Sequence, residues 1–115
     1  MPDVHFFDAS ALEWTGHERF PDVKFKALET RATHPHASVM LVRLAVAGDI
    51  TPHTHPIETE TVYVLAGQAQ LTYGDQQAVI EPGLGASIPP GIQHSVHNTG
   101  TIPLEMVAIH TPPVR

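Results

Sequence analysis

Residues 51 to 60 read TPHTHPIETE, with His53 and His55 two positions apart and Glu58 and Glu60 close behind. In a strand, residues i and i+2 point to the same face about 6.6 Å apart, so both imidazoles can address one cation. With nine histidines in the chain, such a pair also arises without purpose, and the surrounding residues must decide. Pro56 cannot donate to a strand ladder and lets the chain change register before the next strand. Glu60, opposite in parity to His53, can then face the same side. Glu58 is the competing carboxylate. Glu60 is preferred because it leads the apolar run TVYVLAG, which holds it rigidly, whereas Glu58 falls in the turn.

Outward from this stretch the chain is punctuated by eleven prolines and eight glycines and shows no sustained helical period. This pattern predicts many short strands joined by turns, an all-β fold. The strand candidates are KFKALET, SVMLVRLAVA, TVYVLAGQAQLTY, QQAVIE, GASIPP, QHSVHNTG and LEMVAIHT. YGDQQ is a hairpin loop between Leu71 and Val79, Gly67 marks a bend or bulge, and Asp8 or Ser10 caps one helical turn before Trp14. VMLVRLAV and EMVAI are apolar on both parities, as in a barrel or sandwich that also packs against a second surface.

The 115 residues match one domain, able to bury a core without disulfide or metal staples. A formal net charge of -6, with no Lys/Arg run, argues against nucleic acid as a partner. The absence of cysteine leaves nitrogen and oxygen as the ligands for any metal. The amino terminus lacks a secretory pattern, and the longest apolar run is broken by Arg43 and too short for a bilayer, so a cytoplasmic protein is expected, with no membrane partner. No serine sits in a nucleophile elbow and no phosphate-binding glycine loop is present.

A further candidate, His94, follows a Pro-Gly turn in GLGASIPPGIQHSVHN. Two spaced patterns now stand out. Residues 48–67 read Gly48, four intervening residues, His53-Thr-His55, four more, Glu60, six more, and Gly67. Residues 83–98 read Gly83, five intervening residues, Pro89-Pro-Gly91, two more, His94, three more, and Asn98. Together they resemble the two signature motifs of the cupin superfamily, small single-domain metal-binding β-barrels. One departure is visible: cupins usually place five residues, not four, between the first glycine and the first histidine, which puts the role of Gly48 in question.

The resemblance implies a double-stranded β-helix, or jelly-roll barrel, over residues 33–115, with residues 1–32 an arm packing on it. It implies that His53, His55, Glu60 and His94 hold one divalent transition metal, Fe, Mn, Ni, Co, Cu or Zn. Gly67 and Gly83 would serve turns, Pro89 and Gly91 would aim His94, and Asn98 would tie down a loop. Three imidazoles and a carboxylate leave two positions of an octahedral ion open, close to the two-histidine, one-carboxylate sites of non-haem iron. An enzyme on a small organic molecule follows, an oxygen-using oxidoreductase of dioxygenase type first. The alternatives are a non-oxidative isomerase or lyase, or a non-catalytic ligand-binding module.

Among the remaining histidines, His97 is opposite in parity to His94 and reads as a surface residue, His34 and His36 as loop residues, and His5 and His17 as exposed. His110 is either a satisfied core histidine, the favoured reading, or a pocket acid/base group. Tyr63, Gln93, Arg43 and Met40 could line the cavity; an arginine within an apolar strand must be paired, snorkel to the rim or meet an acidic group. The tryptophan-containing arm resembles that of cupins in which it packs across a dimer, so a homodimer is expected.

Overall fold

The computed structural model describes residues 3–115, so the first two positions of the arm lie outside the described residues. One short 3-10 turn, Ala9–Ala11, precedes ten strands. It is capped by Asp8, whose side chain accepts from the Ser10 N–H. The strands are β1 (Thr15–Gly16), β2 (Val23–Glu29), β3 (Ser38–Leu44), β4 (Asp49–His53), β5 (Thr59–Ala66), β6 (Ala69–Tyr73), β7 (Gln76–Ile80), β8 (Gly85–Ile88), β9 (His94–Asn98) and β10 (Leu104–Thr111). They form two antiparallel sheets, six-stranded in the order β1-β2-β3-β10-β5-β8 and four-stranded in the order β4-β9-β6-β7. This is the all-β fold that the turn-rich sequence predicts, in the jelly-roll arrangement that the resemblance implies.

The run TVYVLAGQAQLTY is two strands rather than one, because β5 and β6 belong to different sheets. Gly67 makes the corner with φ +86°, where a Cβ would lie 2.8 Å from both Leu104 Cα and Pro103 O. Only glycine satisfies both the left-handed backbone and the close approach. The predicted hairpin is present, with β6 and β7 joined by Gly74 and Asp75.

Inward-facing residues change character along the barrel. From one end to the other, β10 turns inward Leu104, Met106, Ala108 and His110, and its neighbour β3 turns inward Leu44, Val42, Met40 and Ser38. β5 presents Val64, Val62 and Glu60, and β9 presents Asn98, Val96 and His94. The register aligns these series, pairing Leu104 with Leu44 and His110 with both Ser38 and Glu60. Leu44 and Leu104, each fully buried, close one end. Imidazoles and a carboxylate collect at the other.

The outward parity of β3 and β10 is only partly covered. Val39, Leu41, Val107 and Ile109 are half-buried, and Tyr63 beside Val107 is 50% exposed. On this outer face Arg43 is neither at the cavity nor free. Its Nε and Nη2 donate to Glu105 Oε1 at 3.0 and 2.6 Å, and its guanidinium lies 4.1 Å from the Trp14 ring centroid. Lys26 covers the same indole at 4.9 Å while donating to the Ala9 carbonyl, which ties the amino-terminal segment to the sheet.

Candidate metal centre

His53 reaches the interior through a defect in β4. Ile50 pairs with Val96 and His53 with His94, so three steps on β4 oppose two on β9. The extra residue reverses parity, which is why Ile50 and His53, three apart, are both buried. Pro52 sits within this irregularity on an edge strand, where its missing N–H costs no ladder bond. The Thr51 carbonyl accepts a 2.8 Å hydrogen bond from His53 Nδ1. That contact places the proton on Nδ1 and leaves Nε2 its lone pair.

His94 is built in the same way from the opposite motif. It opens β9 after the Pro-Pro-Gly turn, where Gly91 has φ +85° and donates its N–H to the His55 carbonyl at 2.9 Å. His94 Nδ1 donates to the Ile92 carbonyl at 2.9 Å. The two motif loops are therefore joined by backbone, and the His53 and His94 rings lie 4.2 Å apart, centroid to centroid.

One ligand atom from each of His53, His55, Glu60 and His94 falls within 4.8 Å of the others. Glu60 Oε1 lies 2.8 Å from His94 Nε2 and 3.7 Å from His55 Nε2. The His55 Nε2 atom is buried and has no hydrogen-bond partner. An orphaned imidazole nitrogen, two neighbours with Nδ1 already committed to carbonyls, and one carboxylate make a donor set that fits a divalent transition ion. Burial pushes His53 down to about 4 and His55 below its ordinary value, with neighbouring imidazoles adding to the effect. Both are thus held neutral, as ligands must be. Burial opposes ionisation of Glu60, yet the imidazoles of His110 and His94 hold it well below the usual carboxylate range. Burial likewise lowers His94, but its contact with Glu60 and the Ile92 carbonyl raise it on balance.

The cluster forms one wall of a cavity of about 340 Å³. The rest is mainly apolar, from Val42, Val62, Leu71, Val96, Met106 and Ala108 among others. Met40 lines it; Tyr63 and Gln93 do not. Two histidines differ from expectation. His17, read as exposed, is half-buried at the mouth, 4.9 Å from the Phe20 ring, which in turn lies 5.0 Å from His53. His110, favoured as a satisfied core residue, is buried but unsatisfied: neither ring nitrogen has a hydrogen-bond partner, and Nε2 approaches Glu60 Oε2 at 3.0 Å out of line. Among the others, His97 is exposed and bonded to Asp49, His5 is exposed and bonded to Glu29, and neither His34 nor His36 reaches the cavity.

Sequence reasoning missed the mouth because its residues come from opposite ends of the chain. Arg115 donates to Glu18 at 2.8 Å and stacks 4.0 Å from the Phe25 ring centroid, closing one side. No local motif signals a contact between positions 97 apart.

A two-sheet barrel with a histidine and carboxylate cluster in its open end defines the class. The cupin domain family model matches residues 40–110, and the chain belongs to that family. It is 30% identical over 77 residues to mannose-1-phosphate guanylyltransferase of Klebsiella pneumoniae, covering 67% of this chain and 16% of that protein. To germin-like protein 5-1 of Oryza sativa subsp. japonica it is 34% identical over 79 residues, covering 63% of this chain and 34% of that protein. The chain thus spans 16% and 34% of the length of these curated relatives. A predicted oxalate decarboxylase from Thermotoga maritima superposes with a TM-score of 0.86 at 22% identity, covering 94% of this chain and 99% of that one, a likeness of fold. No helix among the described residues is long and apolar enough to cross a membrane.

Proposed function

We propose that His53, His55, Glu60 and His94 bind one divalent transition metal, and that the chain is a metal-dependent enzyme acting on a small organic molecule. Oxygen-using oxidation of dioxygenase type is the first reaction class. The observation that carries this reading is the convergence of four donor atoms within 4.8 Å at the wall of an apolar cavity. Fe, Mn, Ni, Co, Cu and Zn all suit the donor set, and the reading includes a cytoplasmic homodimer comprising one domain.

Bound there, such an ion supplies Lewis acidity and, where redox-active, a partner for dioxygen. The chain's own residues do the rest. Glu60 offsets one of the two positive charges, and the Thr51 and Ile92 carbonyls fix the tautomers and ring orientations of His53 and His94. The apolar walls exclude water and accept the hydrocarbon body of a ligand whose paired oxygens, as in an enediol, β-diketone or catechol, turn toward the imidazoles.

The same apolar walls favour one second reading, capture of a ligand without turnover. Elemental analysis of untagged protein beside a His53→Ala/His94→Ala variant separates metal site from bare barrel. About one equivalent in the parent and none in the variant is expected, followed by oxygen uptake with diketones or enediols. A parent that takes up no metal after reconstitution overturns the metal reading. Metal retained with tight ligand binding but no turnover favours the module.

A further inference from the structure

His110 lies beside the four-residue cluster without belonging to it. It faces Glu60 directly across the β5–β10 ladder, is 3% exposed, and its ring lies 4.8 Å from that of His55. The two carboxylate oxygens of Glu60 have different neighbours. Oε1 faces His94 at 2.8 Å and His55 at 3.7 Å, whereas Oε2 faces His110 Nε2 at 3.0 Å. Neither His110 nitrogen has a hydrogen-bond partner, the Nε2–Oε2 approach being close but out of line. An imidazole buried this way costs desolvation that a leucine on the same parity would avoid, so its place is not explained by packing.

We propose that His110 is a positioning residue for Glu60: its Nε2–H, already 3.0 Å from Oε2, comes into line with that oxygen when the site is filled, so that Oε1 alone is presented to the cation. This rests on the metal-centre reading above. A carboxylate that ligates through one oxygen fills one position instead of two. With three imidazoles it leaves two of six open, the number a ligand with paired oxygens needs. Ligation through both oxygens would leave one. His110 thereby connects the outermost inward residue of β10 to the number of positions available for chemistry, without touching the ion itself.

The test compares parent, His110→Leu and His110→Gln, both substitutions filling the volume but only glutamine retaining a donor. Zn(II) affinity is measured by competition with a chromophoric chelator, and the separation of the symmetric and antisymmetric carboxylate stretches by infrared difference on loading. Expected are a roughly ten- to hundred-fold weaker affinity for the leucine variant, as for loss of other partners that orient metal ligands, a narrowed stretch separation marking two-oxygen ligation, and recovery of both by glutamine. Unchanged affinity and stretches in the leucine variant overturn the proposal while leaving the metal centre standing. Complete loss of binding by a folded leucine variant also overturns it, making His110 a ligand. If the parent itself binds no Zn(II), the metal-centre reading falls and this inference with it.

Discussion

Asn98 places its side-chain amide among three carbonyls. Nδ2 donates toward Leu44 O and Ala45 O at 3.2 Å each and Ile102 O at 3.0 Å, while Oδ1 accepts the Gly100 N–H at 2.9 Å. The side chain is almost fully buried, so no water replaces these bonds if it is removed. Asn98→Ala is therefore expected to destabilise the barrel by about 2–3 kcal/mol, the cost of leaving several buried polar groups unmatched. Asn98→Asp, equal in shape, turns a carboxylate oxygen toward the carbonyls and should cost more, because the repulsion adds to desolvation. Chemical denaturation of both variants measures the order; an aspartate variant as stable as the parent would contradict the assigned orientation of the amide. The role of Asn98 is the one the resemblance implies, and a bend at Gly67 was legible because it interrupts an apolar run. His110 was harder to place because β10 is apolar on both parities, so alternation cannot say which face is the cavity. Arg43 posed the same difficulty, since its partner Glu105 is contributed by a strand 62 positions away.

At the level of elements, the β3–β4 turn lies just ahead of the interval, residues 49–52, in which the motif spacing departs from the usual one. Gly48 N donates to Ala45 O at 2.8 Å, closing a tight four-residue turn, and Ala47, its third residue, has φ 60°. Gly48 is nonetheless fixed: a Cβ there would lie 2.8 Å from Ala45 O and 2.9 Å from Asp22 Cβ, and its carbonyl accepts the Asn98 N–H at 3.0 Å. The turn thus keeps the glycine and places the positive φ on an alanine. A non-glycine residue in that region carries about 1–2 kcal/mol of strain, against about 0.4–1 kcal/mol for the added unfolded-state entropy of glycine. Ala47→Gly should therefore raise stability, by about 0.5–1 kcal/mol as the difference of those ranges. Thermal unfolding checks this, and a lowered Tm would show that the alanine is unstrained. Most strands were readable from the turn residues between them, but β1, β4, whose stretch GDITPHTHP reads as turn-rich, the sheet switch at Gly67 and the β4 irregularity were not. The last two depend on pairings between distant strands, such as Ile50 with Val96, that no local period encodes.

For the whole molecule, the outer surface of the six-stranded sheet sets the remaining expectation. Tyr63 and Leu65 on β5 are 50% and 46% exposed, and Val107, Ile109, Leu41 and Val39 continue the apolar surface across β10 and β3 in register. Contiguous apolar residues on one sheet face mark an interaction surface, unlike the same residues scattered singly. A second copy covering this face would account for strands that are apolar on both parities, the pattern already visible in VMLVRLAV and EMVAI. Light scattering at micromolar concentration is expected to give twice the mass of the 12.5 kDa chain. Tyr63→Glu combined with Val107→Glu should shift the mass to that of the monomer, since two carboxylates per subunit would be desolvated beside their symmetry mates in that interface. The two-fold assembly also predicts that Tm rises with protein concentration in the parent and not in the double variant, because association stabilises only the folded chain. A parent of monomeric mass with a concentration-independent Tm would remove the dimer and leave the arm stacked through Trp14 as the cover that the described residues give this sheet.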